Sequence, residues 1–163
     1  MIRGFITNLA KYLDCELVGQ WIDFPIDEDE LAEVLEEIGI DEEHEEFFFT
    51  DWETDYPEIT KSLGQFESIE DVNDWAEGID FYDASFIAAI IEATGCDLQE
   101  ALDNADNVTF YEGYTLEEVA ENIVEDCYDL PEIAERYFDY EAFARDLGYD
   151  GYTETEYGTV YIS

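Results

Sequence analysis

The sequence predicts an α+β fold built from small modules. Apolar residues recur at helical spacing through much of the chain, while alternating stretches sit near both ends. Helices and strands mix without the strand–helix–strand rhythm of a parallel sheet. The composition supports a packed core: 47% of the 163 residues are apolar and 16% aromatic, whereas an acidic disordered chain would be poor in aromatics. That length suits one ordinary domain or two or three very small modules packed together.

Residues 3–9 (RGFITNL) and 16–24 (ELVGQWIDF) read as paired strands around a loop at Lys11 to Cys15, and Pro25 ends the pair. Asp27 with Glu30 caps a helix reaching Ile38, with Leu31, Val34, Leu35 and Ile38 inward and Gly39 as the C′ residue. Its solvent side carries Glu28, Asp29, Glu33, Glu36 and Glu37. Residues 45–54 (EEFFFTDWET) read as a third strand, so residues 1–60 form a sheet-plus-helix module.

Tyr56-Pro57 breaks the pattern, and residues 61–105 form a helical module. Ser68 and Asp71 flank a helix start, with Ile69, Val72, Trp75 and Ala76 apolar and Glu70, Asp74 and Glu77 acidic. Residues 83–94 (DASFIAAIIEAT) give the most apolar helix, stopped by Gly95, and a short helix follows from Asp97 with Leu98, Ala101 and Leu102 inward.

Residues 106–163 form a third module of helices and a small sheet. A strand at 107–112 turns at Gly113 into a helix announced by the capping box Thr115-x-x-Glu118. Leu116, Val119, Ala120, Ile123, Val124 and Cys127 make its apolar stripe; Glu117, Glu121, Glu125 and Asp126 stand outside it. Leu130-Pro131 opens a short helix, residues 140–147 another that Gly148 stops, and residues 151–162 a hairpin turning near Gly158.

The charge is the dominant feature: 46 Asp and Glu face five Lys and Arg, a formal net charge of −41. No basic patch can form from Arg3, Lys11, Lys61, Arg136 and Arg145, which excludes binding nucleic acid through phosphates. Anionic lipid is equally disfavoured, and no apolar run is long enough to span a membrane. A field of this sign attracts basic proteins. The acidic rows lack alternating lysines, and each like-charged i, i+4 pair costs an isolated helix about 0.2–0.5 kcal/mol.

Catalytic chemistry finds no support. The single histidine, His44, lies within DEEHEE, where a solvated loop residue is the plain reading. Cys15, Cys96 and Cys127 form no C-x-x-C pair and read as reduced, mostly buried thiols of a cytoplasmic protein without a signal peptide. There is no Gly-rich phosphate loop. Any pair of carboxylates is expected by chance among 46 acids. Asp103, Asn104, Asp106 and Asn107 resemble the start of a calcium loop, but Val108 stands where Gly is required and Tyr114 where the bidentate Glu belongs. No catalytic residue, cofactor or metal site is therefore assigned. Weak, unspecific divalent-cation binding to the acidic surface is expected.

The acids admit two readings: plain solvation, or imitation of nucleic acid. Duplex DNA carries one charge per about 1.7 Å, so 41 charges match roughly 70 Å of duplex, on the order of 20 base pairs. A compact chain of this length has a radius of gyration of only about 15 Å, so matching DNA's linear charge density requires an elongated row of modules. Carboxylates at i, i+4 lie about 6 Å apart, close to phosphate spacing. The segments ITNLAKYLDCELVGQWIDFPID, DNVTFYEGYTLEEVAENIVED and RYFDYEAFARDLGYDGYTETEYG resemble the ArdA antirestriction proteins of mobile elements, and the resemblance covers nearly the whole chain. It implies an acidic, elongated homodimer of three-module chains that mimics B-form DNA and occupies the DNA-binding groove of type I restriction-modification enzymes, on their specificity and modification subunits. The family's antirestriction motif falls near Thr115 to Asp129. Glu28, Asp29, Glu33, Glu36, Glu37, Glu70, Asp74, Glu77, Glu117, Glu121, Glu125 and Asp126 are then the phosphate mimics, and aromatics among Phe47 to Trp52 or Tyr137 to Phe143 are candidates for the dimer contact. By charge alone, an inhibitor or chaperone of another basic DNA-binding protein, or a merely solvated acidic domain, fits as well.

Overall fold

A computed structural model describes residues 1–41 and 46–162. His44 lies outside the described residues. The fold is mixed α and β, as expected. Residue contacts divide the chain into two units, Met1–Ala84 and Ser85–Ser163.

The first unit holds an antiparallel sheet in the order β2-β1-β3, made of β1 (Ile2–Asn8), β2 (Gly19–Phe24) and β3 (Phe47–Thr54). Alternation along β1 sends Ile2, Gly4 and Ile6 to the buried face, beside Ile22 and Phe24 of β2 and Phe49 and Trp52 of β3. Gly4 is required there: a Cβ on it would stand 2.6 Å from the Trp52 ring, which packs on Phe49 with centroids 4.2 Å apart. On the other face Arg3 lies directly opposite Asp23 on one neighbour and Glu53 on the other, and it bonds both at 2.6 and 2.9 Å. The residues after β1 make a short helix, α1 (Leu9–Leu13), instead of the expected loop, because Asn8 caps it by accepting from the Lys11 N–H. The buried Asn8 amide also donates to the carbonyls of Ile38 and Gly39, tying the start of α1 to the end of α2 (Glu28–Glu37). Pro57 opens α3 (Pro57–Ser62) instead of simply breaking the pattern, since its missing N–H is unneeded at the first helical position. Then α4 (Ile69–Tyr82) starts at the Ser68 cap and buries Val72, Ala76 and Ile79.

In the second unit α5 (Ala84–Thr94) buries Ile87, Ala88, Ala89, Ile90 and Ile91 in succession. After it come α6 (Leu98–Asn104), capped by Asp97, and a single 3-10 turn. An antiparallel sheet in the order β4-β6-β5 follows, from β4 (Val108–Glu112), β5 (Tyr152–Thr155) and β6 (Gly158–Ile162). Between its first two strands in sequence run α7 (Leu116–Cys127), α8 (Glu132–Glu135) and α9 (Tyr140–Tyr149). Ala120 of α7 packs with Ala144 and Leu147 of α9, and Leu116, Ile123, Phe143 and Tyr152 close around them. Contrary to expectation, α9 runs through Gly148 to Tyr149. A glycine stops a helix by adopting positive φ, and Gly148 is not among those that do. The cysteines also depart from expectation: Cys15 and Cys127 are exposed and only Cys96 is partly covered. Cys127 is the last residue of α7, beyond the turns that pack on α9, and Cys15 sits in a tight turn at φ 64.

Candidate acidic interface

Three helices carry the twelve candidate carboxylates: Glu28, Asp29, Glu33, Glu36 and Glu37 on α2, Glu70, Asp74 and Glu77 on α4, and Glu117, Glu121, Glu125 and Asp126 on α7. All are exposed. Amphipathic spacing puts them there: each helix turns a narrow apolar stripe to its own unit, and these acids lie outside it.

In the first unit, α2 and α4 bring four candidates together. Glu28, Glu70, Asp74 and Glu77 line one groove of about 560 Å³, with Asp27 as a further acid and Ile26, Leu31 and Ile69 as its apolar part. Asn73 fixes the groove. Its side-chain oxygen accepts from the Ile26 N–H at 2.8 Å, and its amide donates to the Ile26 carbonyl at 2.9 Å. Asp29, Glu33, Glu36 and Glu37 do not line this groove. In the second unit, Glu117, Glu121, Glu125 and Asp126 follow one another along α7. Their field reaches α9: partial burial, then the charges of Glu135, Glu121 and Glu125, raise the Tyr140 phenol above its usual pKa.

Among the described residues, none of the twelve side chains makes a hydrogen bond or ion pair. Other acids do the structural work. Arg3 takes Asp23 and Glu53, Lys11 takes Glu16, Lys61 takes Glu58 and Arg136 takes Glu132. Asp27, Asp97 and Asp139 cap helices. Glu67 accepts from the Gly64 N–H, Glu92 from that of Glu156, and Glu154 from that of Leu116. The cap positions were legible in sequence as Asp or Ser before an apolar run. Glu92 and Glu154 were not, because they find partners 64 and 38 residues away. Among the described residues, no three His, Cys, Asp or Glu side chains gather in a way that could hold a metal ion, and no helix is long and apolar enough to cross a membrane.

Residues 4–161 match the family model of the antirestriction proteins, and that span is nearly the entire chain. The chain belongs to this family, described as Antirestriction protein (ArdA). It is a family of inhibitors and not a known enzyme family. No curated protein matches the chain.

Proposed function

We propose that this protein inhibits type I restriction-modification enzymes stoichiometrically by imitating B-form DNA, and that it acts as a homodimer. The observation that carries the reading is the separation of the acids into two sets. Arg3, Lys11, Lys61 and Arg136 pair with acids outside the three rows, and among the described residues the rows themselves are left unneutralised and unbonded. A protein selected for stability alone would alternate Glu with Lys along such helices. A chain that must present negative charge to a DNA-binding groove keeps them bare.

The mechanism needs no bond-making. Basic residues that contact phosphates in the enzyme's groove meet carboxylates instead, steered by a long-range attractive field. DNA is excluded because one groove cannot hold both, and the inhibitor itself is repelled by nucleic acid. Each contact is individually small, so affinity resides in the row and not in any one acid. Of the aromatic stretches considered for the dimer contact, Phe48 and Phe49 are buried core residues, while Tyr137 is exposed and remains available for a partner copy.

Competition tests this directly. A purified type I modification core holding labelled target DNA is titrated with the protein at several salt concentrations. Displacement near equimolar amounts, weakening as salt rises, supports the proposal. Retention of DNA at low salt, with the protein folded, overturns it and moves the assignment to another basic partner.

A further inference from the structure

We propose that Glu154, on β5, is a positioning residue for the α7 carboxylate row and not one of the charges presented to a partner. The inference rests on reading that row as partner-facing. The Glu154 carboxylate accepts from the N–H of Leu116, the first residue of α7, at 2.6 Å. Among the described residues, it is the one side chain from another element bonded to an α7 backbone N–H.

Its strand belongs to a hairpin that grips the same entry to the helix twice more. The Gly113 N–H donates to the Tyr157 carbonyl at 2.8 Å, and the buried Thr159 hydroxyl donates to the Tyr114 carbonyl at 2.9 Å. The capping box then closes on Thr115 and Glu118. Four successive residues, 113–116, are thus held before the row begins at Glu117. Among the described residues, the far end of α7 has no such support. It has no basic residue in its last turn, and Glu125 and Asp126 sit there against the helix dipole. Repulsion along the row also opposes the helix. The hairpin therefore holds the end from which the row's spacing is set, and Glu154 supplies its bond to the first helical N–H.

Three substitutions separate reach from charge. E154Q removes the charge and keeps an oxygen at the same reach. E154D keeps the charge and is shorter by one C–C bond, about 1.5 Å. E154A removes both. Backbone amide exchange is followed at Leu116, Glu117 and Glu118, and displacement of DNA from the modification core is measured on the same samples below their melting temperatures. The expected result is exchange about fivefold faster in E154D and E154A, the size of a lost cap, but less than twofold faster in E154Q. DNA displacement is expected to weaken in the same order. If E154A does not fold, the E154Q and E154D pair decides alone. Equal weakening in E154Q and E154A with E154D unaffected overturns the proposal, since Glu154 would then act by charge. Wild-type behaviour in all three overturns it as well. Failure of the underlying reading is recognisable separately: the wild-type protein then displaces no DNA, whatever the exchange pattern.

Discussion

Two helices of the second unit divide the molecule's tasks between them. α5 contributes five consecutive buried residues, Ile87 to Ile91, and a single acid, Glu92, whose carboxylate is bonded to the Glu156 N–H. α7 buries only Val119, Ala120 and Val124 and carries acids at 117, 118, 121, 125 and 126. Of these, among the described residues, only Glu118 is bonded, in the capping box. The first helix is committed to stability, and the second accepts repulsion for the sake of its surface. Stability and inhibition should therefore respond to different substitutions.

The largest effect is expected from converting all twelve row carboxylates to amides. Inhibition should vanish while the thermal midpoint holds or rises, as competition and calorimetry would show; a retained inhibitor would break the division outright. Next is Ile87→Ala. Deleting this fully buried side chain should cost about 2–5 kcal/mol of stability in denaturant titration. Inhibition per folded molecule should be unchanged. The third change, Glu117→Gln with Glu121→Gln and Glu125→Gln, relieves two i, i+4 repulsions and should stabilise the protein by about 0.4–1 kcal/mol while weakening inhibition. Stability and activity moving in opposite directions would be the sharpest sign of the division.

A smaller effect concerns Tyr140, which burial and the charges of Glu135, Glu121 and Glu125 push above its ordinary pKa of 10.0. Neutralising Glu121 and Glu125 should lower it part of the way, as ultraviolet titration of the wild type and a Tyr140→Phe control would resolve. The sign is that of a raised group. Its contribution to stability is fully present below pH 10 and is lost as pH climbs through the raised value. The smallest effect is Glu117→Gln alone, expected to change inhibition less than twofold because the charge is distributed. Abolition by that one change, in a folded protein, would end the distributed-field account.

Much of this division was legible in the sequence. The apolar run FIAAII and the T-L-E-E capping box announced α5 and α7 through local rules, and the exposed rows followed from helical period alone. Three things were not legible. α1 forms because Asn8 is buried and shared between a cap and two carbonyls near residue 39, a tertiary circumstance. α9 passes through Gly148 because glycine is merely permissive, and packing of Ala144 and Leu147 on α7 holds the helix across it. Which acids are structural depends on partners such as Leu116 for Glu154, and composition gives no hint of them.

Asn73 has a consequence of its own. With one side chain it satisfies both the N–H and the C=O of Ile26, as a neighbouring strand would, and so fastens α4 to the residue that leads into α2. The acids of the groove it spans are ionic: Asp27, Glu28, Glu70, Asp74 and Glu77 repel one another most in dilute buffer and least in brine. The amide pair is neutral and indifferent to both. The strength of the acidic field can thus be tuned by the medium while the interval between the two acid-bearing helices stays fixed, like a ruler whose markings fade or darken but do not move.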